Sequence, residues 1–331
     1  VTGFLSNTIK DQMKILVFGK DGQLGKAFQA LLASQLATLA DKPSIQYVGR
    51  AECNLSDVAT LGSLLSQCEA DLIINASAYT AVDKAETEVD LAFAINAKAP
   101  EMMAQYAADH GATFLHYSTD YVFDGEKYGF YLEDDVRNPL GAYGKSKAAG
   151  EEAITKAFSH DSAGQYAILR TSWVYGDGGN FIRTILRLAK DREELKIIHD
   201  QYGVPTSAAW LAQLSLGLVA DANLQLRKFP SGIYHAVPAG ETTWHGLATL
   251  AVQAGLDAGV PLKVVAEAIK PIPAVEYPLP APRPMNSRMS TDKLRQVLQS
   301  QGDMSKLQLL NQPWDIAVQA YVVGLAKDGL I

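Results

Sequence analysis

Tyr143 and Lys147 stand four residues apart in the run Tyr-Gly-Lys-Ser-Lys, inside a stretch that reads as helix. One helical turn puts the two side chains on the same face. An ammonium within about 4–6 Å favours a phenolate, so the pair could move the tyrosine from a pKa of about 10 toward neutral. Such a tyrosine can protonate a carbonyl oxygen as hydride reaches the carbon, while the lysine reaches a cofactor ribose. Spacing alone is weak, since Y-x-x-x-K arises by chance about once in a chain of this composition. The run His-Tyr-Ser-Thr-Asp-Tyr-Val-Phe-Asp-Gly adds a third element. It puts Thr119 and Asp120 at the end of an expected strand before Tyr143, where a hydroxyl could bond the same substrate oxygen.

A second set of residues suits phosphate chemistry. Gly19, Gly22 and Gly25 have G-x-x-G-x-x-G spacing, directly after the apolar run Ile-Leu-Val-Phe and at the start of an amphipathic segment. The first two glycines would let backbone N–H groups approach a pyrophosphate at a helix N-terminus, and the third would let that helix pack on the strand. A structural turn without ligand is the competing reading, and the strand–turn–helix context argues against it. The next strand ends at Val-Gly-Arg, with Arg50 at its tip and no carboxylate before Glu52. An arginine there tolerates the extra phosphate of NADP, so the pattern favours NADPH and leaves NADH open. Arg50 could equally be an ordinary surface cation.

Such groups need a scaffold that presents loops at one sheet edge. From Met13 onward, β-branched runs alternate with longer amphipathic segments: a helix over 23–38, a strand to Arg50, helices near 57–68 and 90–110, and the strand Thr-Phe-Leu-His-Tyr-Ser-Thr. This rhythm predicts an α/β fold with a Rossmann-type doubly wound parallel sheet. After about residue 178 it loosens. Residues 13–178 are therefore expected to form the dinucleotide-binding domain. Residues 179–331 are expected to form mainly a smaller C-terminal α/β substrate-binding lobe, with segments free to return to the sheet. Residues 1–12 read as an extension.

Bulk properties narrow the functions. A net charge of −7 over 331 residues offers no basic field for a nucleic-acid backbone. The most apolar stretch, residues 208–220, is too short and too polar to span a bilayer and reads as a core helix. Two cysteines without metal spacing suit a reducing cytoplasm. The six histidines also lack metal spacing, and His116 and His245 read as hydrogen-bonded structural residues. No metal is expected.

The glycine loop, Asn-Ala-Ser-Ala-Tyr-Thr-Ala-Val-Asp, Ser-Thr-Asp-Tyr-Val-Phe-Asp-Gly, Tyr-Gly-Lys-Ser-Lys, Arg-Thr-Ser-Trp-Val-Tyr-Gly, Asp-Gln-Tyr-Gly-Val-Pro-Thr, Thr-Thr-Trp-His and Arg-Pro-Met-Asn-Ser-Arg-Met occur in that order. Together they resemble the extended short-chain dehydrogenase/reductases, and within them the enzymes that act on a dTDP-linked 4-keto sugar. The resemblance implies NAD(P)H-dependent reduction of the C4 keto group of dTDP-4-dehydro-L-rhamnose to dTDP-L-rhamnose, in the synthesis of a cell-surface sugar. It gives Tyr143 the role of proton donor, Lys147 that of tuning it and binding the nicotinamide ribose, and Thr119 that of partner hydroxyl.

It also implies cofactor contacts from Gly22, Gln23, Leu24, Asn54, Leu55, Ala78, Tyr79 and Thr80. A family Asp is Asn54 here, which weakens that contact. Asp120, Trp173, Val122, Gln201 and Arg283 fall where the family binds substrate. Trp173 could instead be core packing, and Arg283 could clamp a diphosphate or stand solvated. Members that dimerise around magnesium carry a Glu where this chain has Ala27, so the expectation is a monomer or homodimer without a bridging metal.

Related dehydratases place an Asp-Glu pair after the threonine. Here the pair is Asp120 and Tyr121, which favours reduction over water elimination. Another sugar-nucleotide reductase or an epimerase, and a non-catalytic regulatory subunit of the methionine adenosyltransferase type, are the alternatives. The complete Thr119, Tyr143, Lys147 set argues for an enzyme over the regulatory subunit.

Overall fold

The computed structural model describes residues 12–159 and 162–331. Apart from Gln12, the extension expected at residues 1–12 lies outside the described residues. Six strands form the main sheet: β1 (Lys14–Phe18), β2 (Ser44–Val48), β3 (Leu72–Asn75), β4 (Thr113–Thr119), β5 (Gln165–Thr171) and β10 (Gly232–His235). They lie in the order β10-β5-β4-β3-β1-β2, and each neighbouring pair is parallel.

Successive side chains of a strand leave opposite faces, so each strand feeds two cores. Ile15, Val17, Leu72, Ile74, Leu115 and Leu169 pack with α1 (Gln23–Leu36) and α8 (Ala208–Val219). Leu16, Phe18, Ile73, Phe114 and Ile168 pack with α2 (Val58–Gln67), α5 (Ala99–His110) and α6 (Ala142–Ala157). Both faces are covered, and that is why β1 and β3 read as nearly continuous apolar runs. The chain passes from β1 out to β2 and returns to β3 on the other side of β1. This reversal opens a crevice beyond the carboxyl ends of β1 and β3.

The helix expected near 90–110 is built in three pieces. Between α4 (Val89–Phe93) and α5 lies a π turn, Ala94–Lys98. Its wider turn carries the buried Asn96, and such turns recur at functional sites.

A second lobe holds α7 (Phe181–Asp191), α9 (Trp244–Asp257) and α12 (Trp314–Lys327). Beside them β7 (Leu195–Ile198) pairs in parallel with β12 (Ile269–Ile272). The looser rhythm after residue 178 has a physical cause, because the chain crosses repeatedly between lobe and sheet. Helix α8 packs on α1, β10 becomes the sixth sheet strand, and α10 (Asp292–Ser300) and α11 (Met304–Leu310) lie against β10 and α8. The expected core helix at 208–220 is thus a helix of the sheet layer, and Gly-Ile-Tyr-His is its edge strand.

Candidate active site

The crevice at the β1/β3 reversal is a cleft of about 830 Å³. One end is built for phosphate. Gly19 adopts φ +84°, and a Cβ there would lie 2.7 Å from the backbone of Ala76 after β3. A Cβ on Gly25 would come within 2.0 Å of the Gly19 carbonyl oxygen, whereas one on Gly22 would meet only that oxygen, at 3.4 Å. Gly22 starts α1 without any side-chain cap, leaving the first N–H groups of the helix for an anion. Gln23 and Leu24 line the same end, and the buried Oε1 of Gln23 has no hydrogen-bond partner. Shape and unmet donors therefore fit a dinucleotide pyrophosphate. Gly25→Ala should destabilise the chain by more than the about 1–3 kcal/mol of ordinary overpacking, because the obstacle is backbone. Thermal unfolding and a titration with NADPH would both register it.

Arg50 lies at the cleft mouth and is exposed. Its acidic neighbour Glu52 is engaged by Lys20 and by the Gly49 N–H, 2.8 Å away. Asn54 and Leu55 also line the mouth. The Asn54 side-chain Oδ1, however, accepts from both the N–H and the hydroxyl of Ser56, so the side chain folds back on its own loop. Ala78 and Thr80 face the cleft, while Tyr79 does not line it. The Tyr79 side chain donates to Glu88, and its backbone N–H and carbonyl are both held by the Asn96 amide at 2.8 and 3.0 Å. Asn96 also donates to Ser146 on α6, so the π turn fixes the β3 loop against the Tyr143 helix.

At the other end Thr119, Asp120, Tyr143 and Lys147 share the cleft. The Tyr121 and Tyr143 rings meet edge to face with centroids 5.3 Å apart, which sets the angle of the phenol. The expected ammonium–phenol tuning is not what this structure holds. Lys147 Nζ donates to the Tyr117 carbonyl at 2.6 Å and lies 3.3 Å from His116 Nε2. Burial pushes Tyr143 up to about 12, with the Thr119 hydroxyl pulling the other way, instead of toward neutral. The cost of a buried phenolate sets the direction here, with the charge of Asp120 adding to it. Burial likewise pushes Lys147 down to about 8, against the charge of Glu151 one turn along α6.

Asp120 is buried between two hydroxyl donors, Thr119 at 2.9 Å and Ser287. Burial nonetheless raises its carboxyl to about 6. A raised folded-state pKa contributes stability that is complete below the unfolded value and lost as pH rises through the folded one. The stability of Asp120→Asn relative to the parent should therefore improve between about pH 4 and 6, by up to about 3 kcal/mol. Urea unfolding at both ends of that window measures the difference.

Trp173 lines the cleft in a strained backbone conformation, φ +48°. Its indole stacks on Trp244 with centroids 3.7 Å apart and fills the space where Gly203 has no Cβ. Three other expected substrate contacts lie elsewhere. Val122 is fully buried among Phe123, Tyr131 and Val204 in a core beneath the loop. Gln201 is buried away from the cleft lining, its Nε2 4.0 Å from the Met285 sulfur. Arg283 does not line the cleft either, and its guanidinium makes a two-pronged bond to Asp83 at 2.7 and 2.8 Å. The fork that was to clamp a diphosphate is occupied by a carboxylate 200 residues earlier in the chain.

Sequence reasoning missed Asn96, Trp244 and Ser287. The last two sit inside recognised motifs, Thr-Thr-Trp-His and Arg-Pro-Met-Asn-Ser-Arg-Met, and only tertiary contacts give them roles. Among the described residues no cluster of His, Cys, Asp or Glu could hold a metal ion. Ala27 packs against the α1 core. No helix of the described residues is long and apolar enough to cross a membrane.

A doubly wound sheet that brings a glycine phosphate loop and a Tyr–Lys pair into one cleft is the design of the extended short-chain dehydrogenase/reductases. The chain belongs, more narrowly, to the family described as RmlD substrate binding domain, whose model matches residues 13–310. It is 42% identical over 287 residues to the dTDP-4-dehydrorhamnose reductase of Escherichia coli (strain K12), covering 86% of this chain and 91% of that one. It is also 42% identical over 286 residues to the enzyme of the same name from Salmonella typhimurium, with the same coverage. A crystal structure of a Clostridium acetobutylicum dTDP-4-dehydrorhamnose reductase superposes with TM-score 0.79 at 32% identity, covering 95% of this chain and 99% of that one. The Bacillus anthracis dTDP-4-dehydrorhamnose reductase in complex with NADP superposes with TM-score 0.77 at 28% identity and the same coverage.

Proposed function

We propose that this cleft reduces the C4 keto group of dTDP-4-dehydro-L-rhamnose to dTDP-L-rhamnose with NADPH, accepting NADH as well, and that Tyr143 is the proton donor. One observation carries the reading: the uncapped first-turn N–H groups of α1, just after Gly22, open into the same cleft as Thr119, Tyr143 and Lys147. The substrate follows from the names of relatives that share most of this chain, and the NADP-bound relative supports the cofactor.

When bound, the nicotinamide supplies the hydride. The chain's own residues supply position and proton. The N-terminus of α1 holds the pyrophosphate, and Arg50 at the mouth, with Glu52 already neutralised by Lys20, accepts the charge of a 2′-phosphate. Thr119 and Tyr143 bond the C4 oxygen from one side, and Tyr143 passes its proton to that oxygen as charge develops there. A phenol held near 12 is protonated at neutral pH, which is the state a donor needs. Trp173, braced by Trp244, gives the sugar an apolar wall. Tyr121 stands where an eliminating enzyme of this fold would need a second carboxylate, which favours reduction.

The protein is proposed to act in the cytoplasm as a monomer or homodimer. Steady-state rates of NADPH and NADH oxidation with the dTDP sugar and with its UDP and GDP counterparts test this assignment. The reading expects the highest kcat/KM for the dTDP sugar with NADPH. Equal turnover of all three nucleotides would remove the claim of a dTDP substrate.

A further inference from the structure

The fully buried His116 occupies a place the reaction scheme above does not use, directly behind Lys147. Its tautomer can be read from the bonds around it. Asn75 Oδ1 accepts from the Ser77 N–H at 3.2 Å and also from the Ser77 hydroxyl. A backbone N–H can only donate, so the Asn75 amide must present Oδ1 to Ser77 and its NH₂ to His116. That NH₂ meets His116 Nδ1 at 3.1 Å, which makes Nδ1 the acceptor. Burial and the neighbouring Lys147 hold His116 well below the usual histidine range, so the ring is neutral and its single proton sits on Nε2. Nε2 faces Lys147 Nζ at 3.3 Å. An ammonium has no lone pair to accept that N–H. The contact becomes a hydrogen bond only when Lys147 is a neutral amine, still donating to the Tyr117 carbonyl.

We propose that Asn75 and His116 are positioning residues that present an N–H rather than a lone pair to Lys147, favour its neutral amine, and so make its proton available to restore Tyr143 after each turnover. The balance is simple. Tyr143 loses its proton to the C4 oxygen, the Lys147 ammonium gives one to the Tyr143 phenolate through the polar groups of the cleft and becomes the neutral amine that accepts the His116 N–H, and a proton from solvent restores the ammonium. Other groups face this lysine. Glu151, one turn along α6, favours the ammonium but is shared with Arg170 of β5 and Arg137. Tyr143 stands one turn back, Asp120 sits at the end of β4, and the π turn offers the neutral Asn96 to α6. Against these, the His116 N–H is the polar group in direct contact that opposes the charge.

The inference rests on the role given to Lys147 and Tyr143, so its first test avoids activity. In protein labelled with ¹⁵N-histidine, the signal lost in His116→Gln identifies His116, and the parent should show Nε2 protonated and Nδ1 bare. A proton on Nδ1, or a doubly protonated ring, would overturn the proposal.

The second test is the alkaline limb of kcat, expected near the lysine's value of about 8. His116→Gln can turn a carbonyl oxygen to Lys147, and Asn75→Asp can draw the His116 proton to Nδ1 and bare Nε2. Both variants should move the limb up by about one pH unit. A shift in Asn75→Asp alone would mean a charge effect and would reject the tautomer account. An unmoved limb in both would mean that the pair is only structural. Should His116→Gln not fold, the tautomer in the parent and its exchange in Asn75→Asp decide the matter. Loss of the Tyr143 role with the Nε2–H tautomer intact would instead reject the functional reading.

Discussion

Tyr143→Phe should lower kcat for reduction of the dTDP keto sugar by about 10²–10⁴-fold, the range carried by a positioned proton donor. The phenylalanine ring keeps the edge contact with Tyr121 and leaves α6 unchanged, so folding should survive. The cofactor loop is untouched, and NADPH affinity should stay within a small factor of the parent. Fluorescence titration of NADPH beside steady-state rates separates the two. A large loss of rate with intact binding is the signature of a group that acts in the transition state. Retention of full rate would require the proton to come from elsewhere, and the buried Asp120, raised to about 6 and bonded to Thr119, is another acid in the cleft.

Arg170→Met should be the most damaging single change away from the cleft, at about 3–5 kcal/mol of stability. Arg170 is 1% exposed and Glu151 0%, and the guanidinium grips both carboxylate oxygens, at 2.8 and 2.7 Å. Arg170 also donates to the Glu133 carbonyl at 3.2 Å and lies over the Phe123 ring. Without it, Glu151 keeps the longer Arg137 contact at 3.4 Å and the charge of Lys147 one turn away, and becomes an under-compensated buried charge. Urea unfolding should show a lower midpoint with an unchanged slope. Removing both partners, Arg170→Met with Glu151→Leu, should recover much of the loss, because the penalty comes from the orphaned charge and not from the missing bond. Equal damage in the double variant would contradict that explanation.

Local patterning carried the sheet and the cofactor loop. Strand faces alternate within Ile15–Phe18, and the Gly19–Gly25 spacing encodes a close local approach, since a Cβ on Gly25 would meet the Gly19 carbonyl oxygen at 2.0 Å. Tyr143 and Lys147 share a face because helical periodicity is local. Contacts across long separations were not legible. The tie from Asp83 to Arg283 joins residues of two lobes, and nothing near Arg283 signals that its fork is taken. Strand β10 was obscured because the chain visits the second lobe before returning to pair with β5.

The direction of the Tyr143 shift failed for a similar reason. The i,i+4 spacing is local, but how far the phenol is buried is set by the tertiary fold, and desolvation wins over the Thr119 hydrogen bond. Asn96 was hidden by a π turn, which helical periodicity does not reveal. Tyr79 and Val122 sit in matching motifs with their side chains directed elsewhere, so motif membership located the loops better than the contacts.

The central claim is hydride delivery to C4 within this cleft, and isotope transfer tests it most directly. The protein would be incubated with NADPH deuterated at the transferable position and with dTDP-4-dehydro-L-rhamnose, and the product examined by proton and deuterium NMR. The account predicts dTDP-L-rhamnose carrying one deuterium at C4, with none formed by Tyr143→Phe on the same timescale. Bound cofactor with no labelled product, or label at another carbon, would contradict it.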